Sequence, residues 1–300
     1  MISAKIVADS IANNVRLTTM ELKFHRFILP EFNTHRMFSR NASSSRAIPV
    51  EKMLEQVKDT PALPVYWGKN QPGMQAKEEI DDTEKVLARH EWRMAARYAM
   101  DKATWMATYG VHKQVVNRLL EPFQYIKVIV TATEYANFFS LRLHPDAQPE
   151  MCALAKAMKD AMDNSVPEEL EHGEWHLPYV DIAKFNLDLS ANGRKKTSID
   201  YSTAIKCSVA RCARVSYLNH DNSSPDVEKD IALADRLLKD GHMSPFEHQA
   251  TPMLEYSGVS KDKSHRLGIY EWDVGTTHMD WNYNLWSGNF RGWLQYRQML

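Results

Sequence analysis

The feature that most constrains the fold is a pair of strand-like segments near the N-terminus. AKIVADSI (4–11) alternates loosely between apolar and polar residues, and VRLTTMELKFHRFI (15–28) alternates more clearly. Asn13 and Asn14 separate the two segments, and such a pair is typical of a turn. Because alternation indicates a strand with one buried face, the sequence predicts a β-hairpin. Pro30 then ends the second strand, and a helix begins.

The rest of the chain shows helical and strand-like patterns in turn. Apolar spacing, caps and breakers predict helices over 78–110, 112–120 (ending at Pro122), 149–165 and 226–239, the last stopping at Gly241. The β-branched run YIKVIVTATEY (125–135) predicts a buried strand, and the Pro- and Gly-containing stretch 60–76 predicts a long ordered loop. Residues 166–205 are polar and resist assignment, so we expect an inserted or flexible segment there.

Charge and composition exclude several classes of function. Lys and Arg number 37 against 38 Asp and Glu, so the net charge of -1 argues against a general nucleic-acid binder or a polybasic membrane surface. No apolar run reaches the roughly 18 residues that a membrane span needs, and the first residues lack a signal-peptide core. With three cysteines in 300 residues, a reducing compartment such as the cytoplasm is expected.

The segment THRMFSRNASSSR (34–46) concentrates cations and short polar side chains. Its donors are His35, Arg36, Ser39, Arg40, Asn41, Ser43, Ser44, Ser45 and Arg46. Guanidinium groups beside hydroxyls suit a phosphate or a carboxylate. The alternative is a solvated polar loop. The segment follows directly after a strand and Pro30, however, and this position favours binding.

A second segment, NFFSLRLHPDAQPE (137–150), places Arg142 in an apolar run. We expect Phe138, Phe139 and Leu141 to be buried. A buried guanidinium without a partner is costly, so Arg142 must meet an anion or a carbonyl. Either a bound anion or a structural salt bridge, to Asp146 or Glu150, satisfies this requirement.

Histidines mark a third segment, GHMSPFEH (241–248). A metal site is one interpretation, but no third ligand has suitable spacing, and a helix stop followed by a turn explains the pattern equally simply. His172 and His176 lie four residues apart, and such a pair is typical of surface residues without a binding role.

The C-terminal segment NFRGWLQYRQ (289–298) mixes aromatic residues with arginines. Stacking on nucleic-acid bases is one interpretation, and an amphipathic helix that packs its aromatics is the favoured one. Cys207 and Cys212 lack the context of a nucleophile and are expected to be buried, inert thiols. Neither G-x-G-x-x-G nor G-x-x-x-x-G-K-[ST] occurs.

Three of these segments together resemble the flavin-dependent thymidylate synthases. That family carries R-H-R followed after seven residues by Ser and then Arg, matched here by Thr34-His35-Arg36, Ser44 and Arg46. It also has N-F-x-x-L-R with A-Q-x-E, and A-R-V-S-Y with G-H-x-[ST]-P-F-E-H. These appear as NFFSLR with AQPE (137–150), and as ARVSY (213–217) with GHMSPFEH. NRLLEP (117–122) is a weaker fourth match.

The order of the segments differs from the family's, in which A-R-V-S-Y and G-H-x-S-P-F-E-H come first. The chain therefore resembles a circular permutant, a change tolerated where termini are close together at the surface. Permuted forms of this kind fit a bacteriophage protein, which would act in the host cytoplasm. The resemblance implies one α+β catalytic domain over 1–300 with a mostly antiparallel sheet, long helices and a C-terminal aromatic extension (259–300).

The resemblance also implies an activity. It is the methylation of dUMP to dTMP with bound FAD, using methylenetetrahydrofolate and NADPH as co-substrates, in a homotetramer whose sites are shared between subunits. By position, the expected flavin contacts are His35, Arg36, Asn137, His242 and Ser244. The expected nucleotide contacts are Glu31, Ser44, Ser45, Arg46, Arg118 and Arg142, with Arg142 as the catalytic candidate.

Four positions depart from the family's pattern. Thr34 replaces the first Arg of R-H-R, Glu31 replaces a Gln, and Ala42 and Ala47 replace a Glu and a Tyr. Glu31 would accept a hydrogen bond from an exocyclic amine, so methylation or hydroxymethylation of another pyrimidine nucleotide, such as dCMP, is an alternative. A flavin- and nucleotide-binding protein without catalysis is a second alternative, and a nucleic-acid-binding module is a third that the net charge opposes.

Overall fold

The computed structural model describes residues 1–188, 197–215, 226–253, 278–279, 285–286 and 288–300. Most of the expected C-terminal extension, and the last two residues of ARVSY, lie outside these ranges. The strands in chain order are β1 (Ser3–Ala12), β2 (Val15–His25), β3 (Ser39–Ala42), β4 (Tyr125–Ala132), β5 (Glu168–Glu169), β6 (Asn186–Asp188), β7 (Thr197–Ile199), β8 (Ala250–Pro252), β9 (His278–Met279), β10 (Leu285–Trp286) and β11 (Trp293–Gln295).

The main sheet has five strands in the order β3-β4-β2-β1-β5. Its pairs are antiparallel except for β1 with β5, which is parallel. This confirms the predicted mostly antiparallel sheet. β8 pairs with β11, β6 with β7, and β9 with β10 in separate two-stranded ladders.

The predicted N-terminal hairpin is confirmed. Asn13 and Asn14 adopt φ values of 50° and 59°, the left-handed region that asparagine tolerates better than most residues, and this lets β1 turn directly into β2. The second strand ends at His25, three residues earlier than the alternation indicates, because Arg26–Ile28 form a 3-10 turn before the helix that contains Pro30.

The helices are α1 (Leu29–Asn33), α2 (Val50–Asp59), α3 (Asp82–Thr108), α4 (Lys113–Val116), α5 (Ala136–Arg142), α6 (Pro149–Asp163), α7 (Tyr201–Arg214) and α8 (Val227–Lys239). Capping fixes where two of them start. Asp81 and Glu84 form a capping box at the start of α3, and Asp226 accepts from two backbone N–H groups at the start of α8. The predicted helices over 78–110, 149–165 and 226–239 are therefore confirmed, with small shifts at their ends.

One face of the sheet is apolar. Met20, Leu22 and Phe24 of β2 and Val128 and Val130 of β4 are fully buried on it. They pack against α6, whose inward residues are Met151, Leu154, Ala155 and Met158, and against Phe138 of α5. This face contains the main hydrophobic core.

The opposite face of the sheet carries a row of buried hydroxyl groups. Thr19 of β2 bonds to Thr131 of β4 at 2.7 Å, and these two residues face each other in the ladder. His176 bridges Thr19 (2.7 Å) and Ser10 (2.8 Å), and His248 bonds to Thr131 at 2.8 Å. The result is a continuous buried chain of hydrogen bonds that joins three strands to residues from the second half of the chain.

Several expectations are wrong in detail. The segment 289–298 forms β11 and a 3-10 turn rather than a helix, because its backbone pairs with β8 and Trp293 becomes fully buried. The predicted helix over 112–120 is one α-helical turn followed by a 3-10 stretch, Asn117–Phe123. His176 lies in the interior and not on the surface.

Residues 166–205 are largely integrated into the fold, contrary to the expectation of an insertion. β5 extends the main sheet, the His176 backbone pairs with Ala250, and Tyr201 begins α7. Within this stretch, residues 189–196 lie outside the described part of the chain. No helix among the described residues has the length and apolarity that crossing a membrane requires.

Candidate functional site

The three predicted binding segments meet around β3. The strand pairs with β4 from Ser39 opposite Thr131 to Ala42 opposite Val128, which fixes the residues on either side of it. α5 follows β4 closely, and the 3-10 turn Ser244–Glu247 lies against β3. The sheet thus brings together residues that are more than 200 positions apart in the sequence.

A direct contact joins the first two segments. Arg142, at the end of α5, donates from Nε to His35 Nε2 at 2.9 Å. Because an arginine N–H can only donate, His35 Nε2 must be unprotonated, which places the ring proton on Nδ1. The imidazole therefore holds the guanidinium in place and leaves both terminal nitrogens of Arg142 available.

Aromatic rings support His35 from the core. Its ring makes a T-shaped contact with Phe138 at 4.8 Å between centroids and lies 5.9 Å from Phe38. Burial, followed by the charges of Arg142 and Arg40, lowers the pKa of His35 to about 4. The side chain is accordingly neutral at physiological pH and accepts from Arg142 throughout that range.

Positive charge at this end of β3 is not neutralised by acidic groups of the described chain. Arg40 donates to the His35 carbonyl at 2.6 Å, and Arg36 is exposed. No ion pair within the described ranges involves Arg36, Arg40 or Arg142. Of the two alternatives for Arg142, the structural salt bridge to Asp146 or Glu150 is therefore wrong, and Glu150 accepts from the Val65 N–H at 2.9 Å.

Leu141 is the other correction in this segment. It is 52% exposed, whereas Phe138 is 1% exposed. The segment is helical, so only one side of it faces the core, and Leu141 in the last turn lies on the other side. Asn137, in the first turn, is also exposed.

GHMSPFEH reaches the same strand from the other side. Ser244 bonds to Asn41 Oδ1 at 3.3 Å, and Asn41 Nδ2 donates to the Cys212 carbonyl at 3.0 Å. This connects the end of α7 and the Ser244–Glu247 turn to β3. His242 is exposed beside this turn. Within the described ranges, no group of three or more His, Cys, Asp or Glu side chains is arranged to hold a metal ion.

Glu121 organises a second polar cluster. Ser45, itself buried, donates to Glu121 Oε1 at 2.6 Å, and Arg26 and Arg118 each approach that oxygen at 3.0 Å. The Arg118 side chain is 55% exposed. In this chain the Ser45 hydroxyl is thus engaged by Glu121, while Arg118 reaches towards solvent.

The two clusters lie towards opposite ends of β3. His35 and Arg142 are near its start, where Ser39 faces the end of β4, whereas Ser45 and Arg118 lie near the beginning of β4. The strand itself spans about 10 Å, at roughly 3.3 Å per residue. Ser44 and Arg46 follow the second end, with Arg46 exposed.

Two of the positions that depart from the family's pattern have clear structural settings. Thr34 donates from its hydroxyl to the Glu31 carbonyl at 2.7 Å and so closes α1. Glu31 Oε2 is buried and has no hydrogen-bond partner among the described residues. A buried acceptor without a partner is unfavourable, so this oxygen is a candidate contact for a ligand.

The sequence places Asn41 and Arg40 in a polar segment but does not indicate their contacts. Asn41 links β3 to α7, and Arg40 donates to the His35 carbonyl. Glu121 is a site residue that the sequence analysis does not predict. An acidic residue three positions after Arg118 on a helical segment is the signal that would have indicated their pairing.

The free thiols agree with the sequence expectation. Cys207 and Cys212 are buried, and burial raises the pKa of Cys207 to about 11 and that of Cys212 further above its ordinary range. Neither thiol is available as a thiolate nucleophile near neutral pH.

The chain belongs to the Thy1 family, thymidylate synthase complementing protein, whose model matches residues 9–168. This range contains the hairpin, the segment 34–46 and the segment 137–150. The match confirms the resemblance to the flavin-dependent thymidylate synthases, the α+β fold and the assignment as an enzyme of that type. The ARVSY and GHMSPFEH segments lie after the matched range.

Solved structures also resemble the chain. A UMP/dUMP methylase, PolB from Streptomyces cacaoi bound with 5-Br UMP, is 14% identical, with 54% of this chain and 88% of that chain covered and a TM-score of 0.45. Flavin-dependent thymidylate synthase ThyX from Helicobacter pylori, complexed with FAD and dUMP, is 22% identical, with 49% and 67% covered and a TM-score of 0.35. No curated protein matched the chain.

Proposed function

We propose that this protein catalyses the reductive methylation of a deoxypyrimidine monophosphate, dUMP to dTMP, with bound FAD and with methylenetetrahydrofolate and NADPH as co-substrates. The observation that carries the proposal is the group of cations at the start of β3. Arg36, Arg40 and Arg142 have no ion-pair partner in the described chain, and Arg40 and Arg142 both contact a neutral His35. Such a group favours an anion, and phosphate-bearing ligands supply one.

The donors near β3 fit FAD. His35, Arg36, Asn137, His242 and Ser244 would hold it, since exposed amide, hydroxyl and guanidinium groups of this kind suit a pyrophosphate and a flavin ring edge. When bound, reduced FAD supplies the electrons that the methylation consumes, and NADPH restores it. The buried, unreactive thiols fit a reaction without a cysteine nucleophile. Three free cysteines also fit the cytoplasm, where the proposed substrates would be found.

Arg142 is the proposed catalytic residue. His35 occupies its Nε, so the two terminal nitrogens can donate to acceptor atoms at the edge of a planar group such as a pyrimidine ring. A fixed positive charge there stabilises negative charge that develops on the ring when its carbon becomes nucleophilic. Because His35 is neutral, it orients Arg142 without adding a competing charge.

The nucleotide phosphate is assigned to Ser44, Arg46 and Arg118. These residues lie at the other end of β3 from Arg142, and the Ser45 hydroxyl is already engaged by Glu121. Arg142 and these contacts are therefore separated by about the length of β3. We propose, as the resemblance implies, a homotetramer in which one subunit supplies Arg142 and another the phosphate contacts.

The test is an anaerobic flavin assay. Protein with photoreduced FAD is mixed with methylenetetrahydrofolate and dUMP, and oxidation of the flavin is followed by its absorbance. We expect oxidation that depends on the nucleotide, and a loss of about 100-fold or more in Arg142→Gln, in line with removal of a charge-stabilising group. Arg236→Gln, which changes an exposed arginine on α8, is the matched control and should retain the wild-type rate.

A result with bound flavin but no turnover for any pyrimidine monophosphate would instead identify a binding homologue without catalysis. Protein that binds no flavin at all, as judged by absorbance, would refute the proposal, and the segment 34–46 would then bind a different ligand.

A second substrate, dCMP, is favoured by the buried, unpartnered Glu31 Oε2. A carboxylate can accept from the exocyclic amine of cytosine, whereas uracil presents a carbonyl at that position. If Glu31 selects cytosine for methylation or hydroxymethylation, Glu31→Gln will shift the ratio of turnover towards dUMP. Wild-type turnover of dUMP without any turnover of dCMP would exclude this substrate.

We also propose that the order of segments reflects circular permutation. The bonds from Asn41 to Cys212 and Ser244 support it, because they bring the late segments onto the strand that follows His35. A chain restarted at Asp200, with residue 300 joined to residue 1 by a flexible linker, should fold and bind the same nucleotide. Failure of that variant to fold would count against permutation.

A further inference from the structure

The long helix α3 exposes an apolar stripe. Leu87, Tyr98 and Trp105 are 62%, 61% and 59% exposed, and Met94 lies between them. At about 100° per residue, these four side chains fall within about 40° of one another around the helix axis. The helix of 27 residues is about 40 Å long, so the stripe runs along most of it.

The inner side of the same helix is already covered. Ala96 and Ala103 are buried against α2 and the Asn117–Phe123 segment, together with Met53, Val57 and Leu120. The exposed stripe is therefore not the side by which α3 joins its own fold. Large apolar side chains aligned on a solvent-facing surface, with charged residues at the rim, mark a site of protein association.

We propose that this stripe is an interface with a second copy of the chain, formed by two α3 helices packed antiparallel. In such a pair the residue numbers of facing positions add to a constant. With Leu87 opposite Trp105 of the second copy, Met94 lies opposite Tyr98, so one register pairs all four apolar positions.

The charges beside the stripe fit the same register. Glu91 and Lys102 lie on one flank, and His90 and Asp101 lie on the other. A two-fold axis between antiparallel helices places each flank against the same flank of the other copy. Glu91 therefore faces Lys102, and His90 faces Asp101, each pair occurring twice.

This self-complementarity is what favours a second copy over another partner. No hydrogen bond or ion pair within the described ranges involves the side chains of His90, Glu91, Asp101 or Lys102, so all four are available. A different protein would supply its own charges, and nothing would then require matching partners at symmetry-related positions within each flank of α3. The inference does not depend on the proposed reaction.

A charge-swap experiment tests the interface. The molar mass is measured by sedimentation equilibrium for the wild type, Glu91→Lys, Lys102→Glu and the double variant, with circular dichroism as a check of folding. We expect each single change to place like charges together at two symmetric positions and to weaken self-association about tenfold or more. The double variant restores opposite charges and should recover the wild-type assembly.

Glu55→Lys, an exposed change of the same kind on α2, is the control and should leave the mass unchanged. If other surfaces also hold the assembly, the single variants should fall to the next smaller assembly. A wild-type mass of one chain, single variants that associate like the wild type, or a double variant that stays dissociated would each overturn the proposal.

Discussion

The two faces of the main sheet are built on opposite principles. On one face, Leu22 and Val130 pack into an apolar core with α6. On the other, Thr19 and Thr131 are equally buried, but they are held by hydrogen bonds to His176 and His248. The first face requires matching volume, whereas the second requires a partner with the right atom at the right place.

The residues that cover the two faces come from different parts of the chain. α5 and α6, which cover the apolar face, lie within the family-matched range of 9–168. The side chains that satisfy the hydroxyl row, His176 and His248, come after it. Since a buried hydroxyl without a partner is costly, the second half of the chain is needed to complete the sheet and is not an appended unit.

At neutral pH the largest effect of a single substitution is expected on the apolar face. Leu22→Ala removes a fully buried side chain and should lower the free energy of unfolding by about 3 kcal/mol, measured by urea denaturation. Leu238→Ala, at a position 40% exposed on α8, is the control, with an expected change of about 0.5 kcal/mol or less. Equal losses at both positions would show that this face is not the core.

The polar face should make stability depend on pH. Burial lowers the pKa of His176 and His248 to about 3, below the value of about 6.5 for an unfolded histidine. Stability from a lowered histidine pKa is fully present above about pH 6.5 and is lost as the pH falls towards 3. We expect a loss of about 1 kcal/mol per pH unit for each histidine between pH 6 and 4.

His176→Gln should flatten that dependence, because one of the two buried imidazoles is gone. The measurement is urea denaturation of both proteins at pH 7, 6, 5 and 4. His172→Gln, which removes a more exposed imidazole, serves as the control and should keep the wild-type slope. A slope unchanged by His176→Gln would contradict the buried, neutral state of this residue.

The smallest effects are expected from two separate substitutions, one on each face, that exchange a methyl for a hydroxyl group or the reverse. Thr131→Val removes the bonds to Thr19 and His248, and Val130→Thr puts a hydroxyl into the apolar core. Each change should cost about 1 kcal/mol in thermal or urea unfolding. If Thr131→Val stabilised the protein, the hydroxyl row would be a tolerated feature and not a requirement.

What the sequence could predict depends on the length of each element and on how far away its partners lie. The hairpin, β4 and the helices α3, α6 and α8 have enough length for a clear period and recognisable caps. β8 and β11 have three residues each, too few for a period, so the aromatic spacing around Trp293 wrongly predicts a helix. The burial of His176 depends on Ser10 and Thr19, more than 150 positions away, and no local pattern indicates it.

The contacts in the candidate site also join residues that lie far apart in the sequence. The sequence indicates His35 and Arg142 as separate candidates, but their contact across 107 positions depends on the pairing of β2, β3 and β4. The separation of Arg142 from Ser44, Arg46 and Arg118 at the two ends of β3 was also not predictable, because it follows from strand direction and not from motif spacing.

The most direct test of the assignment is the mass of the nucleotide product. The protein with FAD and NADPH is incubated with methylenetetrahydrofolate and either dUMP or dCMP, and the nucleotide is analysed by mass spectrometry. We predict that dUMP gains one CH2 unit, in a reaction that Arg142→Gln slows by about 100-fold or more. If both nucleotides stayed unchanged while the protein held FAD, the assignment as a methylating enzyme would be contradicted.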